Sequence, residues 1–458
     1  MTSTHRLVAL ALTALLALPS AASAQNRAVL EAELERLRVA LGIPQMSAAV
    51  AESGTIVWIR HFGSPARRGD VIRYPIASLT KPFTAALAFR LADEQKLSLD
   101  VPEVAADTHV SLRRLLSHTS AGGASSRFVY SRDLFNRLQA PMERAAGVRF
   151  AQALAATVLR PAGLRHTESS PTLSPSTGLI STVEDVARFA AALEGGTVVS
   201  RAGLTQMFQP ARDEGNRPLP YAHGWFVQQI GGQQVRWHFG QDAQAASLLV
   251  SLPGRRLTLV VLARSDRLSR PFWLQFGDLR WSPAAMTFLT QWAKLRADLP
   301  EARAMMTDAL VALATDQRAR ASALAARAAA LAPALVNAPD LTLLAAFARS
   351  GDRTVRDMGR VIARRVLAAD PPHPRALVDL AVLNLQDGQA GEAKKLLQRT
   401  LDERQATPEI EALARQLLKE ISNPPIGDRL KPLTDHRGSF PASPARSTTS
   451  PPPARPPR

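Results

Sequence analysis

Ser78 and Lys81 are the pair whose types and spacing could do chemistry in this 458-residue chain, within the stretch Tyr74-Pro-Ile-Ala-Ser-Leu-Thr-Lys-Pro-Phe-Thr-Ala85. A serine and a lysine three apart on a helix share a face, so hydroxyl and amine can meet and exchange a proton. That is the minimum equipment of a nucleophilic serine. Of the 56 basic residues all but seven are arginine. Arginine cannot give up its proton, whereas a lysine held in an apolar pocket near a helix N-terminus can. Pro82 has no N–H to donate, which is harmless in a first helical turn, so the spacing predicts Ser78 at the very start of the helix. There its oxygen meets unpaired backbone donors and the positive end of the helix dipole. An N-cap serine followed by a solvated lysine would show the same four residues, so the surroundings must decide.

Residues 29–41 place Leu30, Leu34, Leu37 and Leu41 on one helical stripe that stops at Gly42 and Pro44. Met46–Ala51 and Thr55–Arg60, joined at Glu52-Ser-Gly54, read as a hairpin. Helix-like and loop segments fill 79–215. Strand-like runs return at Gly224–Ile230, Gln234–Phe239, Ala246–Ser251 and Arg256–Ala263. The expectation is an α+β domain, one antiparallel sheet with a helical lobe and a cleft where the two meet.

Tyr74 to Leu99, followed by Leu112-Arg-Arg-Leu-Leu-Ser-His-Thr-Ser-Ala-Gly122, closely resembles the serine β-lactamase and penicillin-binding-protein-like hydrolases, in their class C and esterase branch. The resemblance continues through Phe128-Val-Tyr-Ser131, Pro161-Ala-Gly-Leu-Arg-His-Thr167, Gly178 to Phe189, Tyr221-Ala-His-Gly-Trp225, Trp237-His-Phe-Gly240 and Arg256 to Ala263, covering about residues 27–282. It implies the β-lactamase-like fold, with Ser78 as nucleophile and Lys81 and Tyr130 as its proton-handling partners. It also implies that the backbone N–H groups of Ser78 and Gln241 form the oxyanion hole, that Gly240 lets substrate approach the strand, and that His238 supplies a polar or cationic wall near the leaving group. A tyrosine after Phe and Val, or a histidine between Trp237 and Phe239, would equally serve as a packed residue.

Two departures from the family pattern bear on substrate. Arg132 stands where the Tyr-x-Asn motif has its amide, and a guanidinium there either keeps the lysine amine neutral by repulsion or sits in solvent and contributes nothing. Phe239 stands where β-lactam-binding relatives carry a hydroxyl for the substrate carboxylate, and a ligand that loses a buried partner is strongly disfavoured. Both point toward an ester or amide with an apolar acyl group. The stretch between Gly123 and Phe128 is short for the family, which implies a trimmed lobe over the cleft.

The first 24 residues carry a basic start, an apolar stretch from Leu7 to Leu18 and Ala22-Ser-Ala24 before Gln25, the pattern of a cleavable export signal. The expectation is a periplasmic or secreted protein with no transmembrane segment after cleavage. With no cysteine, a thiol nucleophile, a disulfide framework and thiolate zinc are excluded. No clustered ligand set implies a metal or cofactor. A net charge of +17 suits anionic surfaces, but it is spread along the chain with few aromatics, so nucleic acid is not expected as a partner.

The expected organisation is a signal peptide at 1–24, the hydrolase domain at 25–282, an α-helical region at 283–422 and a Pro/Arg-rich disordered tail at 423–458. Within the third, 374–405 resembles one tetratricopeptide unit, a plausible docking site for a protein, although a plain helical bundle would read alike. The first functional reading is an exported serine hydrolase of a small ester, amide or peptide, most simply an esterase. A D-alanyl-D-alanine carboxypeptidase or β-lactamase is the alternative within the same chemistry. A non-catalytic envelope scaffold binding muropeptide-like ligands and a protein partner is the alternative from another class.

Overall fold

The computed structural model describes residues 21–63, 70–100, 102–104, 107–120, 128–213, 215–272, 274–296, 301–331, 374–402 and 408–422, with a few single positions around 348–367 and at 406. The apolar stretch Leu7–Leu18, residues 121–127 and the tail from 423 lie outside the described residues. The chain falls into two compact units, residues 1–339 and 340–458.

The first unit opens with α1 (Ala21–Ala40), the hairpin β1 (Met46–Glu52) and β2 (Thr55–Phe62), and the short β3 (Tyr74–Pro75). A 3₁₀ turn at Ala77–Leu79 leads into α2 (Thr80–Asp93). Then come β4 (Pro102–Val104), β5 (Asp107–Ser111), α3 (Leu112–Leu116), α4 (Arg132–Asn136), α5 (Gln139–Ala146), α6 (Phe150–Leu154), β6 (Glu168–Ser174), β7 (Thr177–Ser181), α7 (Val183–Glu194) and α8 (Arg201–Met207). Four strands follow, β8 (Phe226–Ile230), β9 (Gln233–Gln241), β10 (Ala246–Leu252) and β11 (Leu257–Ala263), and then the helices α9 (Pro283–Thr287), α10 (Glu301–Ala314) and α11 (Arg318–Leu331).

The main sheet is antiparallel in the order β2-β1-β11-β10-β9-β8. The expected hairpin is present, and its two-residue turn works because Ser53 and Gly54 both take positive φ, 50° and 84°, the twist that matches a hairpin. β1, β10 and β11 lie at the centre of the sheet and are buried along nearly their whole length. α7 packs across β1 and β11 on one side, while α1 packs on β2 and α9. α2 is buried at every position from Thr80 to Phe89, the pattern of a helix surrounded on all sides. Its Phe83 stacks on Phe189 of α7 with ring centroids 3.8 Å apart.

The stretch 79–215, expected to hold helices and loops, also contains the strands β4 to β7, which form the small sheet β4-β5 and, with β3 from just before the stretch, the small sheet β3-β7-β6. β6, Glu-Ser-Ser-Pro-Thr-Leu-Ser, is mostly exposed and its pairing with β7 is irregular, so no apolar alternation marks it. What holds this small sheet is α2: Thr80 Oγ1 accepts from the Leu179 N–H at 3.3 Å, and Thr84 Oγ1 donates to the Pro175 carbonyl at 2.7 Å.

The second unit contains α12 (Pro374–Gln386), α13 (Ala390–Asp402) and α14 (Pro408–Ser422). Gly388, at φ 75°, turns α12 back along α13. Leu377, Ala381, Ala393 and Leu397 are fully buried, as the tetratricopeptide spacing implies, and Ala414 and Leu417 of α14 complete the packing. No described helix is long and apolar enough to cross a membrane.

Candidate active site

Ser78 sits in the 3₁₀ turn that opens α2, as Pro82 requires. The residue before it, Ala77, takes φ 47°. A left-handed alanine costs about 1–2 kcal/mol, and it is held by its neighbours: Leu79 N–H donates to the Ile76 carbonyl at 3.0 Å, and Ser247 Oγ of β10 donates to the same oxygen at 2.7 Å. The turn therefore presents the Ser78 hydroxyl at the end of a rigid, buried helix, where the first backbone N–H groups have no intrahelical partner.

Lys81 Nζ lies 2.8 Å from Ser78 Oγ. The lysine is fully buried, and beyond the serine its one other hydrogen bond among the described residues is a long one, 3.5 Å, to the Ser176 carbonyl in the β6–β7 turn. That turn is braced by Asn136 of α4, whose Oδ1 accepts from the Ser176 N–H at 3.1 Å. Burial lowers the Lys81 amine to about 7, and repulsion by the Arg132 guanidinium adds to the effect. The first alternative for Arg132 holds and the second does not: its side chain is half-exposed at the head of α4, beside Asp133 at 3.6 Å, yet its charge still reaches the lysine. Arg132→Asn is expected to raise the Lys81 pKa. The acid limb of a pH–rate profile should move to higher pH, by less than burial alone moves it, and that profile is the measurement.

Tyr130 puts its ring under the Lys81 amine, 4.7 Å from centroid to nitrogen. Its phenol is buried and turned toward Ser78, near enough for the serine to offset part of the burial effect, but it makes no hydrogen bond of good geometry among the described residues. Burial dominates and pushes the phenol well above its ordinary range, so it stays protonated.

His238, on β9, is fully buried. Its Nδ1 lies 2.6 Å from the Phe239 carbonyl and its Nε2 lies 2.8 Å from the Tyr221 hydroxyl. A carbonyl can only accept, so Nδ1 carries the proton and Nε2 accepts from the phenol. Burial, with the nearby Lys81 charge, holds the ring well below the usual histidine range. The neutral, doubly bonded imidazole is therefore a polar wall and not a cationic one. Phe239 is also buried, its ring stacked on that of Tyr130 at 5.9 Å, so it backs the tyrosine and shows little surface to a ligand.

Gly240 lies flat against the turn that carries the serine. A Cβ there would come within 2.1 Å of the Ile76 carbonyl and 2.4 Å of Ser247 Oγ. One position further along, Gln241 stands opposite Ala246, next to the pair in which Asp242 N–H bonds the Ala245 carbonyl at 2.9 Å. By the alternation of antiparallel ladders, the Gln241 N–H points away from β10. β8 pairs with β9 only from Gln233 to Trp237, so among the described strands nothing takes up that N–H. Gly240→Ala is expected to push the strand off the turn and to lower turnover by about 10²-fold, the scale of losing one oxyanion donor. Steady-state kinetics beside a thermal melt would check it.

Ser78, Lys81, Tyr130, His238, Gly240, Gln241, Arg132 and Phe239 thus all converge on one end of α2 and the free end of β9. Sequence reasoning missed Ser176, Asn136 and Tyr221. The first acts through a backbone carbonyl, which no residue type announces, and the others lie far from the partners they hold.

The family model described as Beta-lactamase matches residues 30–272. The chain belongs to the beta-lactamase family. A tetratricopeptide-repeat model matches residues 360–417. Among solved structures, the D-amino acid amidase from Ochrobactrum anthropi SV3 complexed with L-phenylalanine amide aligns with a TM-score of 0.50 at 15% identity, over 59% of this chain and 100% of that one. The octameric penicillin-binding protein homologue from Pyrococcus abyssi gives 0.49 at 18% identity, over 57% and 76% of the two chains. A beta-lactamase from Mycobacterium bovis gives 0.45 at 24% identity, over 56% and 99%. No curated protein matches the chain.

Proposed function

We propose that this chain is an exported serine hydrolase that acts through an acyl-enzyme on Ser78, with ester hydrolysis as its chemistry. The observation that carries the reading is the buried Lys81 amine, 2.8 Å from Ser78 Oγ and lowered to about 7, which makes it a usable base near neutral pH.

The neutral amine takes the hydroxyl proton as Ser78 Oγ bonds to the ester carbonyl carbon. The resulting oxyanion is received by the N–H groups of Ser78 and Gln241. Tyr130, protonated at working pH, passes its proton to the departing alkoxide as the carbon–oxygen bond breaks, and Lys81 restores the phenol. Water then attacks the acyl-serine, its proton passes back through the same groups, and the acid leaves. Phe239 supplies no hydroxyl for a substrate carboxylate, and Arg132 supplies no amide for an acyl side chain, which favours a neutral apolar acyl group over a β-lactam or a D-alanyl terminus. An amide remains in the substrate screen, since the D-amino acid amidase shares the fold.

The N-terminal apolar stretch and Ala22-Ser-Ala24 support export to the periplasm or beyond, with the hydrolase at 25–282. The tetratricopeptide match supports a protein partner for the C-terminal helices.

The test is hydrolysis of short-chain p-nitrophenyl esters by the purified protein, with intact-mass analysis of a quenched reaction. Turnover with an acyl adduct on the peptide containing Ser78 is expected. Labelling by a fluorescent penicillin would favour the carboxypeptidase or β-lactamase alternative. Neither turnover nor adduct with any of these substrates would leave the scaffold reading.

A further inference from the structure

We propose that His118 is a positioning residue for Tyr130, acting as the post on which the phenol is set against Ser78. The proposal rests on the reading above that Tyr130 moves a proton for Ser78. It starts from an oddity: the phenol is buried beside the serine with no hydrogen bond of good geometry among the described residues to hold it. Its place must come from the chain on either side and from what packs on the ring.

Both lead to His118. Its carbonyl accepts from the Val129 N–H at 2.9 Å, and its ring Nδ1 accepts from the Ser131 N–H at 3.2 Å. One residue thus grips the backbone immediately before and immediately after Tyr130. The imidazole also lies against the Tyr130 ring, centroids 4.5 Å apart, with Tyr221 at 4.9 Å and Phe135 at 5.2 Å on its other sides. The grip needs the left-handed backbone of His118, φ 55°, which follows the end of α3 and turns carbonyl and ring toward the same segment.

A packing role alone does not account for an imidazole here. Accepting at Nδ1 leaves the neutral ring with its proton on Nε2, and Nε2 is buried with no hydrogen-bond partner among the described residues. An orphaned buried donor is a cost that phenylalanine would fill the same space without. What the imidazole adds is the acceptor for Ser131. That residue in turn caps α4 through Ser131 Oγ and the Leu134 N–H at 3.2 Å, so the grip also sets where Arg132 begins its helix.

Two variants separate acceptor from bulk. His118→Phe keeps a ring and loses the acceptor, while His118→Asn loses the ring, keeps an acceptor oxygen near the Nδ1 position and tolerates the left-handed backbone. The readouts are amide hydrogen exchange of Val129 and Ser131, and kcat and KM for p-nitrophenyl acetate. In His118→Phe, Ser131 exchange is expected to quicken at least about tenfold. There kcat should fall about 10–10²-fold with KM within about threefold, the signature of a misplaced proton donor rather than lost binding. His118→Asn should restore both toward wild type.

Unchanged exchange and kcat in His118→Phe, or equal damage in both variants, would overturn the proposal. If His118→Phe does not fold, a folded His118→Asn whose Ser131 amide is unprotected overturns it equally. Should wild type hydrolyse no ester, the ester-hydrolase reading fails by that result. The exchange of Ser131 in the two variants still decides the grip.

Discussion

Ser78→Ala is expected to be a folded protein whose ester turnover is down by about 10⁴–10⁶-fold, the scale seen when a nucleophile that works as one unit with its base is removed. The fold should not notice. The hydroxyl is bonded only to Lys81 among the described hydrogen bonds, and the strain of the turn lies in the Ala77 backbone, which the substitution leaves alone. The oxyanion donors are backbone groups and remain, so residual activity over water measures them without the nucleophile. Progress curves for wild type and variant under identical conditions, with melts to show equal stability, are the measurement. A variant that keeps full turnover would move the chemistry to another residue.

Lys81→Met tests the base in a way that separates chemistry from stability. Removing the amine while keeping the volume is expected to cost about 10²–10⁴-fold in kcat, the range for a positioned proton acceptor. The pH dependence fixes the sign. Lys81 is active when neutral, so kcat/KM of the wild type should rise with pH through about 7, and that limb should be missing from the methionine variant. Stability should change the other way. The folded amine titrates near 7 and an unfolded lysine about three units higher, so between those values the unfolded state binds more protons and wild-type stability climbs with pH. Methionine removes that slope and the burial cost of the charge, so the variant should melt above wild type at pH 6. Lost kcat together with gained stability is the trade of an amine kept for function. A variant both slower and less stable would mean that Lys81 holds the fold.

These expectations rest on residues that were unequally visible beforehand. The Ser78–Lys81 contact follows from helical spacing, and the β1–β2 hairpin from Ser53-Gly54 at a turn that needs positive φ. β10 and β11 show as apolar runs because their burial is nearly complete. β6 did not show, since a mostly exposed strand carries no alternation and is held from outside by Thr80 and Thr84. Nor did the charge of His238: it is set by burial and by the nearby Lys81 charge, which only the packing of distant segments supplies. Leu112 to Gly122 drew notice as a motif, but nothing in it says that His118 would grip the backbone around Tyr130. Spacing within one element can be read from the chain, while hydrogen bonds between elements depend on tertiary placement that local periodicity does not encode.

The early stop of β8 has one more consequence. A sheet margin is normally a hazard, because a row of unpaired amides will template another chain. Here the bare margin of β9 is four residues, His238–Gln241, about 13 Å at about 3.3 Å per residue. The serine turn stands directly over it, and Gly240 is pressed to the Ile76 carbonyl. Such a gap is too short to recruit a foreign strand in register, yet wide enough to seat a single carbonyl. The same truncation that exposes a donor for chemistry leaves this stretch of margin too short to seed aggregation.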